Sequence, residues 1–424
     1  MIIISLDSVL KQINKEHDNI AFEGFREYDL DNKIRFSSPP LNYMTYGGLP
    51  RGRLIELSGA EGSSKAQPVD TIIPTPKGYK RLGDIKVGDY VFDRKGNPTK
   101  VLGVFPQGLK DNYEVTFSDG RKTECNDEHL WTHFTRRGNF KTITLREMLD
   151  RGIKDKNNDI RFYIPINKPV EYPKIQLKLH PYILGALIGD GCLTLNKLTL
   201  NSNDEFVPKK IAKLLNSEAI KLHPKNFNYN FTLPEEHNYQ IKGYNAKYIQ
   251  TRHVIPQLRG LKSHEKYIPK EYLLSSIEQR YELLQGLMDT DGCIDKRGDC
   301  RYSTTSPQLA YDFRELVNSL GLIARMHINH RNEKNRNETY DIRFKTYNHN
   351  KVNFFTLPRK LNQAKQIEEK KLRCKYDRVG IKKVEKLADK KEMVCILVDN
   401  EEHLYLTNGY IVTHNTTLSL DLCK

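Results

Sequence analysis

The chain has 424 residues, of which 38% are hydrophobic and 29% charged, with a net charge of +15 and seven cysteines. This composition fits roughly two to four globular domains and excludes a disordered chain. The scattered cysteines include no C-x-x-C pair, which argues against a zinc motif and a disulfide framework. The positive charge favours a polyanionic partner such as nucleic acid, with a solvated basic surface as the alternative.

No signal or membrane segment is expected. The opening MIIISLD has no basic n-region, and no apolar run approaches the ~20 residues of a membrane span. A cytoplasmic protein without a membrane partner is therefore expected.

Residues 1–65 predict the opening of a nucleotide-binding domain. A short apolar strand, 54–58, leads into the glycine-rich stretch Gly59-Ala60-Glu61-Gly62-Ser63-Ser64-Lys65, and Thr416-Thr417-Leu418 near the other end reads as its continuation. Joined, the two pieces approach the phosphate-binding pattern G-x-x-x-x-G-K-[ST]. Gly59, Gly62, Lys65 and Thr416 are thus predicted to bind phosphate only once residues 66–415 are removed.

Residues 66–168 and 370–415 are rich in short β-type segments separated by turn residues, which predicts one all-β domain split by an insert. It ends at His414-Asn415-Thr416. The Asn415 side-chain nitrogen can attack its own carbonyl and close a succinimide, which breaks the Asn415–Thr416 bond. His414 can protonate the departing nitrogen or the carbonyl oxygen as a general acid.

The segment that splits this β domain, 172–365, contains an internal repeat. Residues 183–192 (ILGALIGDGC) are matched by residues 284–293 (LQGLMDTDGC), and each copy predicts an apolar helix that ends at Asp-Gly. Gly185, Ala186 and Gly286 would let the two helices pack closely, so that Asp190 and Asp291 meet. Two carboxylates there repel each other unless a cation lies between them. The alternative is that each Asp-Gly is an ordinary helix end.

These repeats resemble the LAGLIDADG motif of homing endonucleases. The resemblance implies an α+β domain of two pseudo-symmetric αββαββ halves that cleaves double-stranded DNA as a monomer. Asp190 and Asp291 would hold Mg²⁺ or Mn²⁺ ions, which activate water and stabilise the leaving oxygen. Family lysines near the site are matched by Lys266 and by Lys345, for which contact with a surface or a phosphate is the alternative.

The split β domain resembles inteins of the Hint fold, so the whole chain is predicted to be multidomain. Inteins usually open with Cys or Ser. The segment predicted to be removed here, 66–415, is called the insert below, and it opens with Ala66. Three explanations compete: an engineered or decayed intein, direct attack by Thr416, or a nucleophile from elsewhere. The third is favoured, because one intein group without the first nucleophile has a Trp, a Cys and a Thr at places matched here by Trp131, Cys395 and Thr413.

The resemblance implies a reaction that needs no cofactor. His129, helped by Asn126, would activate the Lys65–Ala66 amide. The Cys395 thiolate would attack the Lys65 carbonyl, since a thiolate is the best nucleophile that the chain offers. Thr416 would then take the acyl group, and Asn415 would cyclise.

Residues 1–65 and 416–424 resemble a RecA-like recombinase fragment with a partial α/β fold, interrupted in its phosphate loop. The resemblance implies that the spliced host protein binds ATP. One rival is an intein inactive in splicing or in DNA cleavage that only binds DNA. The other is an ATP-dependent recombinase with an inert insert.

Overall fold

The computed structural model describes residues 33–35, 42–43, 47–50, 65–221, 227–232, 240–241, 244–245, 248–330, 338–345, 354–368 and 377–415. The chain divides into one unit of Met1–Ala60 with Thr417–Lys424 and a second unit of Glu61–Thr416. In the first unit, Lys33–Ile34 pairs antiparallel with Leu49–Pro50. Gly59, Gly62 and Thr416 lie outside the described residues, so the α/β fragment and its phosphate loop stay predictions.

Short strands bounded by turns dominate residues 67–165, as their alternating pattern predicts. In chain order they are β1 (Gln67–Pro68), β2 (Ile72–Thr75), β3 (Gly78–Arg81), β4 (Tyr90–Phe92), β5 (Pro98–Lys110), β6 (Tyr113–Phe117), β7 (Lys122–Cys125), β8 (Leu130–Phe134), β9 (Phe140–Thr144) and β10 (Tyr163–Pro165). Helix α1 (Leu145–Arg151) begins where the Thr144 side chain accepts a hydrogen bond from the Glu147 amide, and it ends at Gly152 with φ 77°.

Residues 181–368 contain two copies of one arrangement. The first copy comprises α2 (Pro181–Asp190), β11 (Gly191–Cys192), β12 (Thr199–Asn201), α3 (Phe206–Leu214), β13 (Ala219–Lys221) and β14 (Asn228–Phe231). Between the copies lie β15 (Gln240–Ile241), β16 (Tyr244–Asn245), α4 (Thr251–Val254) and α5 (Lys270–Leu273). The second copy comprises α6 (Ile277–Thr290), β17 (Gly292–Ile294), β18 (Asp299–Thr304), α7 (Pro307–Ser319), β19 (Ala324–Asn329) and β20 (Thr339–Lys345), and α8 (Pro358–Glu368) follows.

Both copies have the strand order first, second, fourth, third, as β11-β12-β14-β13 and β17-β18-β20-β19. Each copy therefore has the α-β-β-α-β-β order that the resemblance to homing endonucleases implies. Helix α8 continues to Glu368, beyond the predicted boundary at 365. Among the helices in the described part of the chain, none is both long and apolar enough to cross a membrane.

Helices α2 and α6 pack backbone against backbone. A Cβ atom at Gly185 would lie 2.3 Å from Leu283 O, and one at Gly286 would lie 2.2 Å from Tyr182 O. No larger residue fits at either position without moving a helix, since real Cβ atoms do not approach a backbone oxygen so closely. The close packing that the small residues predict is therefore present.

The last four strands complete the sheets of the first segment. They are β21 (Arg378–Lys386), β22 (Lys391–Val398), β23 (Leu404–Thr407) and β24 (Ile411–His414). Two four-stranded sheets result, β10-β21-β6-β7 and β1-β22-β5-β4, and β23 pairs with β24. Both four-stranded sheets combine strands from before and after the repeat. The β-rich part is therefore one body made of two chain segments, while the predicted boundaries 66–168 and 370–415 stay predictions.

Candidate functional site

Asn126 makes two hydrogen bonds with Ala66, the first residue of the insert. Ala66 is fully buried, and its amide donates a hydrogen bond to Asn126 Oδ1 at 3.0 Å. The Asn126 amide in turn donates to Ala66 O at 3.1 Å. Asn126 itself is 2% exposed. The Lys65–Ala66 amide nitrogen is thus held directly by the side chain that the sequence predicts to act on it.

The sheet register brings the strand of Cys395 to the start of the insert. Strand β22 pairs with β1 through Met393↔Pro68 and Val394↔Gln67. Cys395 follows Val394 and Ala66 precedes Gln67, so a continuation of this antiparallel register would set the two residues opposite each other. Cys395 is 4% exposed, so its thiol is shielded from solvent next to the junction. Strand pairing thus brings together two segments that lie far apart in the sequence.

His129 and Trp131 line the same site from β8 and the turn before it. His129 Nε2 lies 2.5 Å from Thr413 Oγ1, and the His129 and Trp131 rings meet edge to face at 5.3 Å. Within the described residues, His129 Nδ1 has no hydrogen-bond partner. Burial lowers the pKa of His129 to about 3, with smaller contributions from His414 and Lys65, so the imidazole is neutral at pH 7.

The end of the insert is buried in the same region. His414 Nδ1 lies 2.5 Å from Asn415 O, which puts the imidazole at the carbonyl oxygen of the bond that would break. The Asn415 amide, assigned from its hydrogen-bond network, donates from Nδ2 to His403 O at 3.1 Å and accepts from Val398 N at 2.9 Å. Burial lowers the pKa of His414 to about 4, and Lys65 contributes in the same direction. The His129 amide donates to Asn126 O at 3.2 Å, and His129 Nε2 lies 2.5 Å from Thr413 Oγ1. His129 therefore links the residues around Ala66 with those before Asn415, and both junctions border one site.

The predicted carboxylate pair lies at the ends of the paired helices. A Cβ atom at Gly189 would be 3.5 Å from Asp291 Oδ2, so the Asp291 carboxylate reaches the residue before Asp190. Loss of solvent, and to a smaller degree the charge of Asp291, raise the pKa of Asp190 to about 6. The pKa of Asp291 is also raised by loss of solvent, although part of this residue is exposed. The structure brings together the two carboxylates that the repeat predicts.

A lysine closes each helix, and one of them is not the predicted residue. Lys266 Nζ donates to Ile188 O, Gly189 O and Gly191 O at 2.7–3.0 Å. Lys360 Nζ donates in the same way to the carbonyls of Met288, Asp289, Thr290 and Gly292 at 2.5–3.0 Å. The counterpart of Lys266 in the second copy is therefore Lys360, which sequence reasoning missed. Lys345, at the end of β20 with its Cα paired to Asp299, stays a prediction.

The position of Lys360 in the sequence could have indicated its role. Lys266 and Lys360 each follow their own Asp-Gly motif by a comparable interval and sit just before or within a helix-rich stretch. Both ammonium groups are nearly buried, at 6% and 5% exposure. Burial lowers the pKa of Lys360 to about 8 and also lowers that of Lys266.

The carboxylate pair fits a hard divalent cation. Within the described residues, no group of three or more His, Cys, Asp or Glu side chains is arranged to hold a metal ion. Mg²⁺ and Mn²⁺ favour oxygen ligands and commonly use one or two carboxylates, with substrate phosphates completing the shell. Asp190 and Asp291 supply that part of such a shell, and lysine charges nearby offset their repulsion.

An arginine row lies on the open face of the second sheet. The register aligns Arg301 with Arg343 and Arg343 with Arg325 across β18, β20 and β19. All three are exposed, whereas Tyr302, the residue after Arg301, turns inward and stacks on Phe313 of α7 at 4.2 Å. The face away from the helices therefore carries three arginines, together with Asp299 and Asp341 at alternate positions of β18 and β20.

Comparisons with known proteins agree with both halves of this description. Residues 278–355 match the LAGLIDADG-like domain family. The chain is 28% identical over 398 residues to the replicative DNA helicase DnaB of Mycobacterium intracellulare, which covers 87% of this chain and 62% of that protein.

Two solved structures are also similar. One is a gp41-1 intein with one substitution each to Ala, Trp and Cys, at 29% identity and TM-score 0.18, covering 24% of this chain and 79% of that one. The other is of variants of the homing endonuclease I-DmoI, at 14% identity and TM-score 0.30, covering 45% and 97%.

The buried junction site and the paired Asp-Gly helices together define the class of protein. The chain is an intein that carries a LAGLIDADG-type homing endonuclease domain. The chain spans less than two thirds of the DnaB protein of Mycobacterium intracellulare to which it is similar.

Proposed function

We propose that residues 66–415 excise themselves and join Lys65 to Thr416, with Cys395 as the first nucleophile. The observation that carries this proposal is the convergence of three distant segments on Ala66. Asn126 bonds to both the amide and the carbonyl of Ala66. The pairing of β22 with β1 ends one residue before Cys395 and next to Ala66, and His129 Nε2 lies 2.5 Å from Thr413 Oγ1 of β24.

The first two steps transfer the acyl group. The Cys395 thiolate adds to the Lys65 carbonyl, and the Ala66 nitrogen takes a proton and leaves as an amine, which gives a thioester on Cys395. The unpaired Nδ1 of buried His129 supports a role in this proton transfer, since unpaired buried polar atoms are rare outside functional sites. The Thr416 hydroxyl then attacks the thioester, gives an ester and frees the Cys395 thiol.

The last two steps release the insert. Asn415 Nδ2 leaves its hydrogen bond to His403 O and attacks the Asn415 carbonyl carbon, which closes a succinimide and frees the Thr416 amine. The contact between His414 Nδ1 and Asn415 O supports protonation at the oxygen as this bond breaks. The free amine attacks the ester carbonyl, and an ordinary Lys65–Thr416 peptide bond replaces the ester.

Intact mass after expression tests this proposal with a matched pair of cysteine variants. Cys395→Ala should abolish the branched thioester and the ligated host peptide. Cys125→Ala, which removes another buried thiol, should still splice. Equal splicing by both variants would instead favour direct attack by Thr416. No reaction in the unmodified chain would make Ala66 the mark of an inactive intein.

We further propose that the repeat domain cleaves double-stranded DNA at a site in the uninterrupted host gene. The pairing of Asp190 with Asp291 and the exposed arginine row support this activity, because phosphate contacts dominate DNA affinity. When bound, Mg²⁺ or Mn²⁺ would supply an activated water and charge neutralisation. Asp190 and Asp291 would hold it, and Lys266 and Lys360 would keep the helix ends in place. One chain holds both halves, so a monomer should suffice.

A cleavage assay tests this second proposal. DNA spanning the uninterrupted site should be cut on both strands in the presence of Mg²⁺ or Mn²⁺, and Asp190→Asn and Asp291→Asn should each abolish double-strand cleavage. Asp84→Asn, at an exposed position of the β-rich part, is the control. Binding without cleavage by the unmodified chain would favour the rival of a DNA-binding element.

The host part suggests a third, dependent activity. The similarity to DnaB and the divided phosphate loop support ATP binding by the host protein only after splicing. The ligated host protein should bind a nucleotide and the unspliced chain should not. Binding by the unspliced chain would favour the rival of a nucleotide-binding protein with an inert insert.

A further inference from the structure

A cluster of three tyrosines and one carboxylate, partly or fully buried, links the β-rich part to the repeat domain. Tyr79 of β3 donates a hydrogen bond to Glu315 of α7. The Tyr79 and Tyr410 hydroxyl oxygens are 2.8 Å apart, and those of Tyr172 and Tyr410 are 3.1 Å apart. Tyr410 and Tyr172 are 1% and 2% exposed. The proposed splicing and cleavage reactions use none of these four residues.

The carboxylate gives this chain of hydroxyls a direction. An ionised carboxylate only accepts hydrogen bonds, and each hydroxyl has a single proton to donate. Tyr79 therefore donates its hydrogen bond to Glu315, Tyr410 donates to Tyr79, and Tyr172 donates to Tyr410. Without the acceptor at Glu315, nothing fixes the order of donors, and the Tyr79 hydroxyl keeps only one of its two partners, the Tyr410 hydroxyl.

Tyr410 stands at the start of the strand that carries the C-terminal junction. It closes a short turn at residues 408–410, has φ 60°, and is followed at once by β24 and Asn415. A residue other than glycine keeps a positive φ only where its surroundings hold it there. Two groups do so here: the Arg121 guanidinium donates to Gly409 O at 2.8 Å, and the hydroxyl cluster holds the Tyr410 side chain.

We propose that Glu315, a residue of the endonuclease domain, is a positioning residue for splicing. Through Tyr79 and Tyr410 it fixes the start of β24, and thereby the placement of Thr413, His414 and Asn415 at the end of that strand. This inference rests on the proposed splicing function. Glu315 touches no reacting atom, so its effect should fall on the cyclisation of Asn415 and not on the attack by Cys395, whose strand β22 is held separately by β1 and β5.

The test compares rates of single steps in the full chain. Glu315→Leu and Tyr79→Phe each remove one link of the hydroxyl chain, and Glu315→Gln keeps an acceptor oxygen. Tyr311→Phe, on the same helix with its ring 48% exposed, is the control. Branched thioester, succinimide release and ligated peptide are followed by intact mass, and DNA cleavage and thermal unfolding are measured on the same preparations.

We expect Glu315→Leu and Tyr79→Phe to slow succinimide release by roughly tenfold while branch formation and DNA cleavage stay within about twofold. Branched protein should then accumulate, and Glu315→Gln should recover much of the loss. The inference is overturned if succinimide release is unchanged, or if all steps fall together with the unfolding temperature, as a merely structural contact would produce. If the unmodified chain forms neither branch nor succinimide, the proposed splicing itself fails, which is a distinct result.

Discussion

His414 lies where the chain would break, with Nδ1 2.5 Å from Asn415 O and its ring 6.1 Å from the ring of His403. Burial holds its pKa at about 4, well below the ordinary value. At pH 7 the imidazole is therefore almost entirely neutral, and the protonated form that can act as a strong acid is scarce.

The lowered pKa predicts that Asn415 cyclisation accelerates as the pH falls. The protonated fraction of His414 grows about tenfold per pH unit between pH 7 and pH 5, so C-terminal cleavage should rise in proportion. The rate is measured in Cys395→Ala, where the first step is blocked. His414→Gln should be slow and insensitive to pH. A cleavage rate that is flat from pH 7 to pH 5 in Cys395→Ala would contradict this role for His414.

The same shifts limit the useful pH range. Because burial lowers the pKa of both His129 and His414 in the folded chain, the unfolded chain binds protons more readily between about pH 6.5 and pH 4. The contribution of these groups therefore destabilises the fold progressively as the pH falls below 6.5. Thermal unfolding should be recorded at each pH to show that faster cleavage comes from folded protein.

Lys360 provides a second prediction at the scale of single residues. Lys360→Met leaves carbonyl oxygens at the end of α6 without their donor, which costs about 1–3 kcal/mol of stability, and it should greatly reduce DNA cleavage. Lys266→Met should do the same at α2. Lys365→Met, on the exposed side of α8, should change neither quantity. If Lys345→Met stops cleavage and Lys360→Met does not, the assignment from sequence was the better one.

Elements meet in this protein at two kinds of contact. Helices α2 and α6 touch through glycine backbones, while β1 and β22 meet through a ladder whose register selects the neighbour of Ala66. A slip of one residue in that ladder would turn Cys395 to the other face of the sheet, because side chains alternate along a strand. In both contacts the backbone geometry determines where the proposed reactive side chains lie.

The helix contact predicts a strong effect of one methyl group. In Gly286→Ala the new Cβ would lie 2.2 Å from Tyr182 O, so α6 must move away from α2. We expect a loss of about 1–3 kcal/mol in the free energy of unfolding and loss of DNA cleavage, because Asp190 and Asp291 separate. Denaturant unfolding and the cleavage assay measure the two effects.

Gly138→Ala serves as the control, since its Cβ would meet nothing within 4 Å although φ is 88°. It should lose some stability through backbone strain and keep full DNA cleavage. Cleavage by Gly286→Ala at the unmodified rate would show that the carboxylates do not depend on this close approach.

The whole molecule carries a net charge of +15, and part of it lies in the arginine row on the second sheet. If this surface binds duplex phosphates, the affinity should fall steeply with salt as counterions are released. Between 50 and 200 mM salt we expect a loss of roughly 10³-fold for a site with six or more phosphate contacts. Fluorescence anisotropy with a labelled duplex measures this.

Arg343→Gln should reduce the slope of log affinity against log salt by about one unit. Lys110→Gln, on the β-rich part, is the charge-matched control and should leave that slope unchanged. An affinity that is independent of salt would show that the positive charge is a solvated surface and not a DNA-binding face.

The sequence by itself determined the chemistry that contiguous residues can perform. His414-Asn415-Thr416 is reactive through neighbours in the chain, and the two Asp-Gly repeats announce their symmetry and their small packing residues. The divided phosphate loop is also predicted from short segments of sequence, and it stays a prediction. In each of these cases the information lies in a short segment, where covalent spacing alone fixes which groups can meet.

The tertiary structure decided which distant groups meet. The pairing of β22 with β1 brings the strand of Cys395 to the residue after Ala66, which the sequence supported only through resemblance. The fold also chose Lys360 as the counterpart of Lys266 and joined Glu315 to Tyr79. Such contacts depend on strand register and on how separate elements pack, and small local differences in either redirect a side chain. For that reason they cannot be obtained from spacing along the chain.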